Sequence, residues 1–166
     1  MSPAEGKLQV AIIGVGSPFG DDQLGWQAVE WLMHSGLSQR FSHVHLAFNQ
    51  ADRPGALLLE QLRGTDAAII IDAMQSGAVP GTLRAFTLEQ LLAQPCGLLS
   101  SHAFGVAQTL ALGASLGELP KMLMVLGIEM GEEAGGVQLT DATAHQLVSN
   151  VEAICEVVGH HLCINC

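Results

Sequence analysis

Ala67-Ala-Ile-Ile-Ile71 is apolar at every position, and Asp72 follows it at once. A half-exposed strand would alternate. An unbroken apolar run predicts instead a strand buried on both faces, as in the middle of a parallel sheet. That strand is expected to stop at Asp72. Upstream, Leu8-Gln-Val-Ala-Ile-Ile13 reads as a second β-rich run that ends in a tight turn at Gly14-Val-Gly16. Residues 122–128 form a third apolar run, and residues 44–48 and 82–87, the latter after a Pro80-Gly81 turn, bring the set to about five strands. Helical spacing fills the intervals. Trp26, Val29, Leu32 and Met33 recur on one face before Gly36, and residues 56–62 make a leucine-rich helix entered through Pro54. Ser101 would cap a helix from about His102 to Leu116, with Phe104, Ala107, Leu110 and Ala111 on one face. Thr140 would cap a last helix carrying Leu147, Val148, Val151, Ile154 and Val158. Strands alternating with helices predict an α/β fold in three layers: a twisted, mostly parallel sheet of about five strands with helices on both faces. No repeat or linker divides the chain, so residues 1–166 read as one domain, with loose tails over about 1–6 and 160–166.

Hydrophobic residues make up 49% of the 166 positions and charged residues 13%, which excludes a disordered chain. Six Lys and Arg against sixteen Asp and Glu leave a net charge of −10. Nucleic acid and anionic membrane surfaces both demand a basic footprint, so neither is an expected partner. The apolar runs are far shorter than the ~20 residues a membrane span requires. Met-Ser-Pro-Ala-Glu-Gly-Lys lacks the basic-then-apolar pattern of a secretory signal, so no such signal is expected. Cys96, Cys155, Cys163 and Cys166 do not make a disulfide framework in a chain of this size. The segment His160-His161-Leu-Cys163-Ile-Asn-Cys166 has two readings, a soft-metal site or a reduced cytosolic tail.

In an open parallel sheet, ligands bind outside the carboxyl ends of the strands. Residues 14–22 and Asp72 therefore carry the first candidates. Gly14, Gly16 and Gly20 miss the dinucleotide fingerprint by one residue, and no Lys-Ser/Thr pair follows as in a P-loop, so no nucleotide is expected. Asp21 and Asp22 would repel phosphate at a helix start. They either cap that helix or offer oxygens to a cation. Asp72 likewise reads as an Asx turn leading into residues 74–77 or as a carboxylate held at the crevice. His102, in the first turn of its helix, would be kept neutral by the helix dipole, as metal ligation requires. Asp22, Asp72 and His102 together make a set of two carboxylates and one imidazole, suited to Zn²⁺ or Ni²⁺ with open positions for water or substrate.

Over nearly its whole length the chain resembles the maturation endopeptidases of nickel–iron hydrogenases. Gly14-Val-Gly16-Ser-Pro-Phe-Gly-Asp21-Asp22-Gln-Leu-Gly25 looks like that family's G-x-G-N-x-x-x-x-D-[DE]-x-x-G signature, Ile71-Asp72-Ala73 is similar to its strand-Asp-Ala, and Ser101-His102 resembles its Ser/Pro-His before a helix. Four features depart from the pattern. Ser17 stands for Asn, and the loop from Ser17 to the acidic pair is one residue shorter, which makes Asp21 the fallback for Asp22. Gln23 stands where Gly often follows the pair, and residues 49–55 replace an Asp-Gly-Gly-Thr-like turn.

The resemblance implies metal contact by Asp22, Asp72 and His102. It implies an enzyme that removes a C-terminal extension from the hydrogenase large-subunit precursor after nickel insertion, with a cytoplasmic site of action. Aspartyl-type chemistry is sometimes assigned to such enzymes. The implied metal is nickel supplied by the substrate, with other divalent metals occupying the site in vitro. The alternative is a non-catalytic assembly factor that binds the loaded precursor. In either case the partner is the precursor, with no nucleic acid, membrane or nucleotide involved.

Overall fold

A computed structural model describes residues 6–18, 23–95, 105–131 and 141–163, with side chains in the last helix described through Glu156. Its strands are β1 (Leu8–Gly16), β2 (Val44–Asp52), β3 (Ala67–Met74), β4 (Leu83–Thr87) and β5 (Met122–Glu129). The helices are α1 (Leu24–Met33), α2 (Leu37–Arg40), α3 (Leu57–Leu62), α4 (Leu88–Leu92), α5 (Val106–Leu116) and α6 (Asp141–Cys163). The strands form one sheet in the order β2-β1-β3-β5-β4. All neighbours are parallel except β4, which runs antiparallel to β5 at the edge. The order reverses between β1 and β3, so the crevice expected of such sheets opens at their carboxyl ends.

Every residue of β3 is buried, as its unbroken apolar run requires. Alternate side chains serve two cores. Ile69, Ile71 and Ala73 pack with α1, α2 and α6 on one face, whereas Ala68, Ile70 and Met74 pack with α3, α4 and α5 on the other. These are the three layers the sequence predicts. Cys155 of α6 belongs to the first core. Burial, with the neighbouring Glu156 carboxylate, pushes its thiol up from 9.0 to about 11. It is therefore protonated at neutral pH and inert as a ligand or nucleophile. No helix among the described residues is long and apolar enough to cross a membrane.

Several expected boundaries move, each for a physical reason. β1 does not turn at Gly14-Val-Gly16: pairing with β2 carries it through Gly16, opposite Asp52. β3 does not stop at Asp72, because pairing with β5 sets Asp72 opposite Gly127 and continues to Met74 opposite Glu129. β2 extends past Phe48 for the same reason. α3 starts at Leu57, after a turn in which the carbonyls of Pro54, Gly55 and Ala56 accept from the amides three residues on. α5 starts at Val106, with Gly105 as its extended N-cap, and the expected helix start at His102 lies outside the described residues. Ser101, Thr140 and Cys96 lie outside the described residues. α6 takes in residues 160–163, expected as loose tail, and residues 164–166 lie outside the description.

Candidate active site

Two glycines of the first motif, Gly14 and Gly25, have a packing role. Neither Gly14 nor Gly16 has a positive φ, so neither is there to make a turn. A Cβ on Gly14 would stand 2.2 Å from the Gly25 carbonyl oxygen. A Cβ on Gly25 would stand 2.3 Å from the Val15 oxygen and 2.6 Å from the Ile71 oxygen. The first turn of α1 thus lies backbone to backbone on the ends of β1 and β3. Further bonds fix the same corner. The Trp26 indole donates to the Ala51 carbonyl at 3.1 Å, Gln50 Nε2 donates to the Trp26 carbonyl at 3.1 Å, and Gln23 Nε2 donates to the Pro18 carbonyl at 2.9 Å.

Asp72 is 1% exposed, and its Oδ1 accepts from the Ala73 amide at 2.8 Å. It sits inside a strand, which removes the Asx-turn reading. By strand alternation its side chain takes the face of Ile70 and Met74, the face covered by α5. α5 ends at Leu116, close in sequence to the amino end of β5 at Met122, so its own start at Gly105 lies toward the carboxyl edge. Val106 there shares a core with Val15, Ala51 and Met74, residues near the carboxyl ends of β1, β2 and β3.

Asp22 and its fallback Asp21 lie outside the described residues, as does His102. Gly25, three residues after Asp22, rests on the carbonyl of Ile71, the residue before Asp72. Gly105 follows His102 by three. Among the described residues, no group of three His, Cys, Asp or Glu could hold a metal ion. Cys166, and the side chains of His160, His161 and Cys163, are not described.

Glu129, two residues beyond the pairing partner of Asp72 on β5, escapes the sequence reading. Glu129 ends β5, is 2% exposed, and accepts from the Ser76 amide at 2.8 and 3.1 Å, the Ser76 hydroxyl at 2.7 Å and the Gly77 amide at 2.9 Å. It is a carboxylate directly after an apolar run, the same signal that marks Asp72. At the other side of the crevice Arg53 adopts a φ of 41°, a left-handed conformation that favours glycine. Its amide donates to the Gly16 carbonyl at 2.9 Å, and its guanidinium pairs with Asp52 at 2.7 Å.

The HycI hydrogenase maturation protease family matches residues 52–157, the greater part of the chain. This chain belongs to that family. The matched span includes Asp72 and His102, and Asp22 precedes it. Among curated relatives of this hydrogenase maturation protease family member is the hydrogenase expression/formation protein HupD of Thiocapsa roseopersicina. The two are 29% identical over 126 residues, covering 73% of this chain and 54% of HupD, so the chain spans about half the length of that relative. The hydrogenase maturating endopeptidase HybD from E. coli has the same fold, with a TM-score of 0.67 and 22% identity over 92% of this chain and 94% of HybD. The NiFe hydrogenase maturation protease HybD from Thermococcus kodakarensis shares it too, at 0.63 and 22%, over 89% and 99% of the two chains.

Proposed function

We propose that this chain is an endopeptidase that removes the C-terminal extension of a nickel-loaded hydrogenase large-subunit precursor, and that it does so in the cytoplasm. Membership of the protease family supports the reaction class. The geometric support is the seat of Gly25 on the Ile71 carbonyl, which ties the segment after Asp22 to the strand carrying Asp72. The start of α5, just after His102, faces the same edge.

On this reading Asp22, Asp72 and His102 engage the nickel that the precursor brings, so the metal is part of the substrate. Two carboxylates and an imidazole suit Ni²⁺, Zn²⁺ and related ions, and they leave open positions for groups of the precursor. An incomplete donor set holds free metal weakly. The protease would therefore engage its substrate firmly once the metal is seated there. Asp72 is suited to this work because burial and the Ala73 amide fix its carboxylate before the substrate arrives. Hydrolysis consumes one water. A carboxylate of the set accepts the proton of the attacking water, the peptide C–N bond breaks, and the proton passes to the departing amine.

The test is the mass of purified precursor after incubation with the protein, with and without nickel. Loss of the extension from loaded precursor alone is the expected result. Efficient cutting of nickel-free precursor would overturn the recognition step, and a stable complex at full mass would favour the non-catalytic assembly factor.

A further inference from the structure

β1 and β3 separate at the carboxyl edge of the sheet. Their pairing ends at Gly14 opposite Ile71, whereas β1 continues beside β2 to Gly16 and β3 continues beside β5 to Met74. Asp72 and Ala73 therefore border a cleft on the β1 side while β3 stays paired on the β5 side. The Met130 amide donates to the Met74 carbonyl at 2.9 Å, so the main-chain groups of Met74 face β5. Those groups alternate in direction along a strand, which turns the Ala73 amide toward β1. Asp72 Oδ1 accepts from that amide at 2.8 Å. The bond draws the carboxylate to the cleft.

A different residue closes the β5 side. Gly127 lies opposite Asp72 in the ladder, so a side chain there would stand beside that of Asp72 on the same face. Met74 takes this place. A Cβ on Gly127 would stand 2.7 Å from Met74 Sδ and 3.2 Å from its Cγ. A glycine inside a strand weakens it, and Gly127 has no positive φ to require one. The close approach of Met74 supplies the reason. An unbranched thioether can lie flat across a neighbouring strand, and this one is fully buried in the core shared with α5.

We propose that Met74, seated on Gly127, is a positioning residue for Asp72: it fills the β5 side and keeps the carboxylate turned to the cleft between β1 and β3. The proposal rests on the function proposed above, in which that carboxylate engages the nickel of the precursor. The first turn of α1 reaches the same cleft, where Gly25 lies on the carbonyls of Val15 and Ile71. A carboxylate turned toward β5 would lose the Ala73 amide and point away from the segment that follows Asp22.

Two measurements on the full chain test the pair: turnover of nickel-loaded precursor, and hydrogen exchange at the Ala73 amide relative to the Ile71 amide. Met74→Ala empties the place over Gly127. It is expected to lower kcat by about tenfold or more with KM unchanged, and to speed exchange at Ala73 relative to Ile71. Met74→Val, a smaller cavity with a side chain too short to cover Gly127, should show both losses in a more stable protein. Adding Gly127→Ala to Met74→Ala returns a methyl group to the vacated place and should recover part of each loss. Leu110→Ala opens a cavity elsewhere in the same core. It should lower the melting temperature while leaving kcat and the exchange ratio unchanged. Equal losses in Leu110→Ala and Met74→Ala would overturn the positioning role, as would full turnover by Met74→Ala or no recovery in the double variant. If the unsubstituted protein leaves the precursor uncut, the protease reading falls and exchange alone decides the pair. A ratio raised in Met74→Ala and lowered again in the double variant then supports it, and an unchanged ratio overturns it.

Discussion

Asparagine in place of Asp72 should leave a folded protein that no longer shortens the loaded precursor. The side chain is nearly isosteric, and its amide oxygen can still accept from the Ala73 amide as Asp72 Oδ1 does. The bond to the Ala73 amide is kept, so the change in stability should be small, about 1 kcal/mol. The chemistry changes far more. The variant loses a negative charge that would engage Ni²⁺ and a base that would take the proton of the attacking water. General-base loss alone is worth about 10²–10⁴-fold in rate. His102→Ala should have a comparable effect by removing the imidazole. Time courses of precursor mass at matched protein concentration, together with melting curves, check both variants. Normal cutting by both would remove the proposed site, and a large fall in melting temperature for Asp72→Asn would show that the carboxylate serves the fold.

Alanine in place of Gly25 should damage both the fold and the reaction. Alanine is the better helix former by about 1 kcal/mol, so propensity alone predicts stabilisation. The added Cβ, however, meets the Val15 oxygen at 2.3 Å and the Ile71 oxygen at 2.6 Å. Both atoms belong to central strands that cannot move aside, unlike the end of a flexible side chain. Overpacking of that kind costs about 3 kcal/mol. The net loss is about 2 kcal/mol, and a protein of this size should melt about 4–8 °C lower. Relief of the clash moves α1 away from the end of β3, carrying the segment after Asp22 with it. A displacement of about 1 Å at a reacting centre costs on the order of 10²-fold in rate. Unchanged melting with full activity would mean that this contact does not hold the two segments together.

The contrast between these two positions shows what can be read from the chain. Asp72 is visible because a carboxylate after five apolar residues is a local signal. Glu129 carries the same signal after residues 122–128, and its role as a loop clamp depends on partners more than fifty residues away. The three layers follow from strand patterns, since runs apolar at every position must be covered on both faces. Strand ends are less legible. Gly14, Gly16 and Asp72 look like turn residues in isolation, and only pairing with β2 and β5 keeps them in the sheet. Gly25 looks like one more motif glycine until the helix–sheet contact gives its reason. α4 is not among the expected helices, although Thr87 and Gln90, which form its capping box, stand ahead of a leucine pair. α2, four residues long, has no periodic signal to find. The link among Asp22, Asp72 and His102 is of another kind: three short motifs joined by the topology of the sheet.

That link is tested most directly by a crystal of the protein soaked with Ni²⁺ or Cd²⁺ and measured for anomalous scattering. The account predicts one ion bonded by carboxylate oxygens of Asp22 and Asp72 and a ring nitrogen of His102, with the Ni²⁺ distances at about 2.0–2.2 Å. Ions bound elsewhere, or the three side chains too far apart to share one, would contradict it.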